Sequence, residues 1–315
     1  MKFASTAATV MAAITLCTTN LASAADWKPA GPLKIQIGFQ AGGATDTLGR
    51  LVAKTMKEQT GWNVIAENKP GGGGVAMFTG IAKAPANGQL IGLGVNMPVM
   101  INLVMRADKL SFTADSFDYL GTVARAQLAL ISKTETEFND IAGLIEYSKA
   151  NGGAAIAFDA KPQELILRRI NKETGAGFKP VSTKGGAEII KLLLGGQVVA
   201  GFNAGTHLPY IEKGTMKMLA SANDARHNYA PETKTVREQG FDVYVDPVFY
   251  FAAPKGLSDE ARTALSTALN NAVTSAAVKD GVAKALKSEA FNMGPDGTRK
   301  MLIDGMQNVK VLFGK

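Results

Sequence analysis

The stretch LKIQIGFQAGGATDTLGRLVAKTM, residues 33–56, runs from an apolar strand through two adjacent glycines straight into a helix. Leu33, Ile35, Ile37 and Phe39 alternate with Lys34, Gln36, Gly38 and Gln40, the period of two expected of a strand with one buried face. Thr45 suits an N-cap, and Leu48, Leu51, Val52 and Met56 then recur at helical spacing. Gly42 and Gly43 therefore open onto a helix start, where unpaired N–H groups and the positive end of the macrodipole favour an anion. Taken alone, the same pair serves equally as a tight turn with positive φ, so the rest of the chain must decide.

The pattern recurs. Residues 62–67 (WNVIAE) form a second strand, followed by NKPGGGGVAMFTGIAKA, residues 68–84, with Val75, Phe78, Ile81 and Ala82 as the apolar face of a helix. A third strand at 90–95 is broken by Asn96, Met97 and Pro98. From about 126 the alternation restarts, with a strand at 128–132, a helix at 141–150, a strand at 154–158, a Pro-containing turn and a helix at 164–174. FKPVSTKGGAEIIKLLLGGQVVAGFN, residues 178–203, then repeats the opening motif of strand, Gly-Gly, helix and strand. A strand at 248–254 precedes a helix capped by Ser258 with Asp259 and Glu260 in its first turn, and a helical segment at 297–313 closes the chain. Strands alternating with helices predict an α/β fold with mostly parallel sheets, in which ligands bind beyond the carboxyl ends of the strands.

Residues 1–24 read as a secretory signal peptide, with Lys2 in the n-region, a mostly apolar or small run over 7–21, and Ala22-Ser23-Ala24 matching small-x-small cleavage. The residue before Cys17 is Leu16, where a lipobox wants a small side chain, which favours a soluble exported protein. Cleavage near Ala24 removes the chain's single cysteine, leaving no thiolate nucleophile or Cys-ligated metal, and lowers the net charge by one from +7. The remaining basic residues are scattered without aromatic interleaving, which argues against nucleic acid. A chain of 315 residues exceeds what one core usually supports, so two domains are expected.

Catalytic constellations are sparse. Neither HExxH, GxSxG, Walker A nor GxGxxG is present, and no cofactor or metal site is expected. His207 follows a strand and His227 sits in a polar stretch, so each reads as structural, with a pocket role open for His207. Asp46 either complements the helix dipole or holds a water or a ligand ammonium. An exported hydrolase using Ser182 with His207 is the alternative from another class.

Residues 37–94 and VSTKGGAEIIKLLLGGQVVAGF, residues 181–202, together resemble the signature stretches of the Bug-type extracytoplasmic binding proteins that serve tripartite tricarboxylate transporters. The resemblance spans essentially the whole chain after the signal peptide. It implies a periplasmic binding protein, not an enzyme, with two lobes closing on an organic carboxylate. The lobes correspond to 25–125 plus 246–315 and to 126–245. It implies two facing loops that grip a carboxylate through backbone amides and waters. One comprises Phe39, Gln40, Ala41, Gly42, Gly43, Ala44, Thr45 and Asp46. The other comprises Ser182, Thr183, Lys184, Gly185, Gly186, Ala187 and Glu188. Met97, Asp159, Asn203, His207 and Phe249 complete the expected site, with Phe249 open to a core role. Partners are the ligand and the membrane subunits of such a transporter, with a sensor as the alternative output, and a monomer is expected. Asp159 to Gln163 (DAKPQ) replaces a glycine- and serine-rich family loop, Thr183 stands where Tyr is common, and Val248 to Phe251 departs from an aromatic-Gly pattern. The ligand favoured by Phe39, Met97 and Phe249 is an aromatic or dicarboxylic acid such as terephthalate.

Overall fold

Leu33, Ile35 and Ile37 are fully buried while Lys34 is exposed, so β1 (Leu33–Ile37) has the one-sided face its alternation predicts. The computed structural model describes residues 27–313, and the signal-peptide reading of 1–24 lies outside them. After β1 come α1 (Ala44–Thr60), β2 (Val64–Asn68), α2 (Val75–Ile81), β3 (Leu90–Val95), α3 (Asn96–Met105) and β4 (Phe117–Arg125). The middle of the chain supplies β5 (Ala129–Lys133), α4 (Ile141–Ala150), β6 (Ala155–Phe158), α5 (Lys161–Thr174) and β7 (Lys179–Ser182). It continues with α6 (Gly186–Leu194), β8 (Ala200–Asn203), α7 (Leu208–Glu212) and β9 (Met216–Ser221). The return adds β10 (Val248–Pro254), α8 (Asp259–Thr274), α9 (Ala276–Leu286) and α10 (Gly294–Phe313).

Two five-stranded sheets result, ordered β2-β1-β3-β10-β4 and β7-β6-β8-β5-β9. In each, the first three strands run parallel because helices connect them, and the fourth runs antiparallel to both neighbours. That fourth strand, β10 or β5, is the first one laid down after the chain arrives from the other sheet. Helices flank both sheets, and the two lobes share one apolar cluster that includes Phe78 and Tyr250 on one side and Ile156 and Phe202 on the other. The Phe78 and Tyr250 rings stack at 5.3 Å.

Three local expectations are corrected. Thr45 is not the cap of α1: Gly43 takes that place in an extended conformation, and Thr45 is buried inside the first turn. Pro162 is no turn residue but lies at the start of α5, where its missing N–H would have been unpaired in any case. The strands β4 and β9 are absent from the periodicity reading. FDYLGTVAR is buried on both faces up to Ala124, so it carries no alternation to detect.

Candidate functional site

Both Gly-Gly loops lead into helix starts that meet across the space between the lobes. The N–H of Gln40 donates to the Lys184 carbonyl at 3.1 Å, joining the loops directly. A methyl on Gly43 would stand 3.9 Å from the Gly186 nitrogen, and one on Gly42 would stand 3.8 Å from Ala187 Cβ. α1 and α6 thus point their N-terminal ends, with the N–H groups that no helix can pair internally, towards each other from separate sheets.

Beside them lies a cavity of about 60 Å³. Of the expected site residues, Phe39, Gly43, Ala44, Thr45, Met97, Asp159, Gly186, Asn203 and Phe249 line it. The walls also take Val95, Pro98, Ala160, Pro162, Gln163 and Thr206, and Ala126, Leu128, Val245 and Pro247 close it from the segments that cross between the lobes. Neither lysine nor arginine is among these residues, and Asp159 is their single ionisable side chain. Within the lining itself, the two helix starts are the groups that bring positive potential.

Asp159 Oδ1 accepts from Gln163 Nε2 at 2.8 Å, while Gln163 Oε1 accepts the Asp159 N–H at 2.8 Å. Burial, partly offset by that side-chain bond, pushes its carboxyl up to about 6. Gln163 was not foreseen. It belongs to the same short DAKPQ loop, and its position in the first turn of α5 was obscured by reading Pro162 as a turn.

Other expected residues support the loops without lining the cavity. Asp46 Oδ2 accepts the Gly42 N–H at 2.9 Å, and its Oδ1 accepts from Arg50 and Asn68, each at 2.8 Å. Burial works against its charge, but the Arg50, Gly42 and Asn68 hydrogen bonds outweigh it and hold the pKa below the usual carboxylate range. Those bonds make Asp46 an organiser of the loop. The Gly42 N–H is likewise spent within the protein. Glu188 Oε2 accepts the Lys184 N–H at 2.8 Å, and the Thr183 hydroxyl donates to the Phe158 carbonyl at 3.0 Å. Gly185 packs against Gln40, while Ala41 and Ser182 are exposed.

Asn203 links the site to the hinge. Its Nδ2 donates to the Gly186 carbonyl at 3.0 Å, and its Oδ1 accepts from Thr206 at 2.8 Å and from the His207 N–H at 3.2 Å. Behind it, fully buried His207 meets the Tyr229 hydroxyl through Nε2 at 2.8 Å, and that hydroxyl meets His227 Nδ1 at 2.8 Å. His227 Nε2 then faces Asn223 Oδ1 at 2.9 Å. The direction of this chain is dictated from its far end. Asn223 Oδ1 already accepts the Leu128 N–H at 2.7 Å and its Nδ2 donates to the Ala126 carbonyl at 3.0 Å, so His227 Nε2 must donate. Tyr229 therefore donates to His227 Nδ1 and His207 Nε2 donates to Tyr229, which leaves His207 Nδ1 to accept the Gly205 N–H at 3.3 Å, with Asn203 Oδ1 standing 3.2 Å away as a second acceptor. Both imidazoles are neutral in this arrangement. Burial pushes His207 down to about 3, with repulsion from His227, were it protonated, acting in the same sense, and burial pushes His227 down to about 4. No hydrogen bond joins Ser182 to His207 among the described residues, and both ring nitrogens of His207 are already engaged.

A family model for the tripartite tricarboxylate transporter family receptor matches residues 48–315. Protein BugT of Bordetella pertussis is 28% identical over 302 residues, spanning 93% of this chain and 92% of the relative. Among solved structures, the periplasmic binding protein BugD aligns with a TM-score of 0.82 at 24% identity, covering 91% of this chain and 97% of the other. MatC from Rhodopseudomonas palustris, solved with bound malate, aligns at 0.81 with 18% identity, covering 90% and 99%. A further R. palustris protein, solved with adipate, aligns at 0.79 with 23% identity, covering 92% and 99%. These structures share the two-lobed fold. The sequence match over most of the chain makes the firmer statement: this protein belongs to the tripartite tricarboxylate transporter family of receptors.

Proposed function

We propose that this protein is a periplasmic solute-binding protein that captures an organic carboxylate between its lobes, residues 25–125 plus 246–315 and 126–245, and delivers it to the membrane subunits of a tripartite tricarboxylate transporter. The observation that carries this reading is the convergence of the α1 and α6 starts, from different sheets, on one enclosed cavity without a basic side chain. Each helix end supplies about half a positive charge, so the pair balances one carboxylate. Malate and adipate in two structural relatives support the same ligand class.

Size refines it. About 60 Å³ is less than half of the ~150 Å³ cavity that admits benzene, so this closed arrangement fits a small aliphatic acid better than terephthalate. Four charge-assisted hydrogen bonds at the weak end contribute roughly 6 kcal/mol, and micromolar affinity needs about 8 beyond association costs. The difference falls to apolar walls such as Phe39, Met97 and Phe249, which close only when the lobes do. Among the described residues no helix is long and apolar enough to cross a membrane.

Calorimetric titration against short aliphatic acids, benzoate, phthalates and neutral sugars tests the reading. Micromolar binding of a short acid is expected. Binding confined to sugars, or ester hydrolysis lost in His207→Ala, would overturn it.

A further inference from the structure

The cavity that faces two positive helix ends also contains a carboxylate of its own. Asp159 stands at the end of β6, immediately before α5, where Gln163 donates to its Oδ1 at 2.8 Å and, among the described residues, no lysine or arginine forms an ion pair with it. Lys161, the nearest cation in sequence, is paired with Glu164 at 2.8 Å, and no lysine or arginine lines the cavity. The rest of the lining, which includes Ala160, Pro162, Met97, Pro98 and the amide of Asn203, offers no group that can neutralise it.

Charge balance then constrains the guest. The two helix ends are already complemented by Asp46 and Glu188 one turn in, and they have no positive charge to spare beyond what one ligand carboxylate would take up. Asp159 remains over, partly buried and without a cationic partner of its own, so a guest that brings a cation stabilises it. A plain monoacid would leave two carboxylates in one small space, and a diacid three.

We propose that Asp159 makes this cavity selective for carboxylic acids that also carry a protonated nitrogen, with the ligand carboxylate at the starts of α1 and α6 and its nitrogen donating to Asp159 Oδ2. This rests on the carboxylate reading above and narrows it to zwitterions. Burial also raises the Asp159 carboxyl to about 6, the direction expected of a carboxylate without a cation beside it.

The test is calorimetry on the full protein with acids that differ only by an amine: propionate against alanine and β-alanine, butyrate against 2-aminobutyrate and 4-aminobutyrate, and succinate against its 2-amino derivative. At pH 7 at least one aminated acid is expected to bind tenfold or more tighter than its plain counterpart. Asp159→Asn preserves the acceptor for Gln163, so folding is retained, and it should invert that preference by weakening the aminated acid and strengthening the plain one. Plain acids binding as well as aminated ones in the wild type, with proton uptake, would mean that Asp159 simply protonates, and would overturn the proposal while leaving the carboxylate reading intact. An aminated preference that survives Asp159→Asn would overturn it equally. Silence from every acid in a folded protein would remove the carboxylate reading and this inference together.

Discussion

Asp46 and Glu188 occupy the same position in two different lobes: each is the third residue of its helix, and each accepts the N–H four residues back, Gly42 at 2.9 Å and Lys184 at 2.8 Å. The acid ties down the loop on the far side of the glycine cap, leaving the N–H groups at the helix tip free to face the cavity. The negative charge that a helix start prefers is thus supplied from within, one turn back, where it does not compete with a guest.

Removing these ties should separate them by burial. Asp46 has a nearly buried side chain and three donors, so Asp46→Ala is expected to cost about 2 kcal/mol or more. Glu188 has one backbone donor at an exposed residue, and Glu188→Ala should cost under about 1 kcal/mol. Urea titration at pH 7 measures both. Because the Asp46 pKa is lowered, its contribution is present at neutral pH and is lost only as the pH falls below the ordinary carboxylate value.

The glycines should divide into two kinds. Gly42 has φ +81 and is exposed, so Gly42→Val is expected to destabilise the ligand-free protein by about 1–3 kcal/mol through backbone strain. Gly186 lies on the cavity wall, where an added Cβ would stand 3.0 Å from Asn203 Nδ2 and 3.1 Å from Thr206 Oγ1. Gly186→Val should therefore lower affinity by roughly 100-fold, about 3 kcal/mol, with a smaller effect on the melting temperature. Equal losses of stability in the two variants would reject this division.

The buried histidine chain predicts acid sensitivity. With folded values of about 3 and 4 against an ordinary value of 6.5, the unfolded protein binds protons that the folded one refuses. Stability should fall as the pH drops below 6.5, by about 4 kcal/mol from both histidines at pH 5 relative to pH 7. Asp159, shifted upwards to about 6, works in the opposite sense and returns about 1 kcal/mol of this. Urea midpoints at pH 7, 6 and 5 check the slope, and His227→Gln should reduce it by about half. A flat profile would mean that the imidazoles accept protons in place.

Asn223 ties both interlobe crossings together. It binds Leu128 N–H and the Ala126 carbonyl on one crossing and Asp246 Oδ1 on the other, at 2.7, 3.0 and 3.0 Å. Asn223→Ala is expected to cost about 2–4 kcal/mol and to speed hydrogen exchange at the Leu128 amide ahead of the sheet interiors. Unchanged exchange at Leu128 would show that the two crossings hold each other without it.

Much of this was legible in the chain itself. The period of two in β1 and the repeated Gly-Gly before a helix located both loops, because alternation and bare glycine are local signals. Asp159 and Asn203 fell on the cavity wall because they close strands at the carboxyl end, where an α/β sheet keeps its ligands. What escaped was non-local. Asn223 and Tyr229 sit in a stretch without period, and their roles exist only once His207, His227 and two crossings come together. Asp46 and Glu188 were placed in the loops but not given their task, since a side chain reaching four residues back leaves no mark on hydropathy. The buried strand β4 hid for the opposite reason, being apolar on every side.

Each lobe receives its antiparallel strand from a chain that has just left the other, and this has a consequence for biosynthesis. Among the described residues β4 pairs with no strand but β10, and its bridge from Ala124 to Ala290 comes later still, so a nascent polypeptide that has emerged only as far as Arg125 has a ribbon with no strand to pair with until β10 is made. Completion of that edge therefore waits until the whole second sheet has been synthesised, so the first lobe closes only after the second.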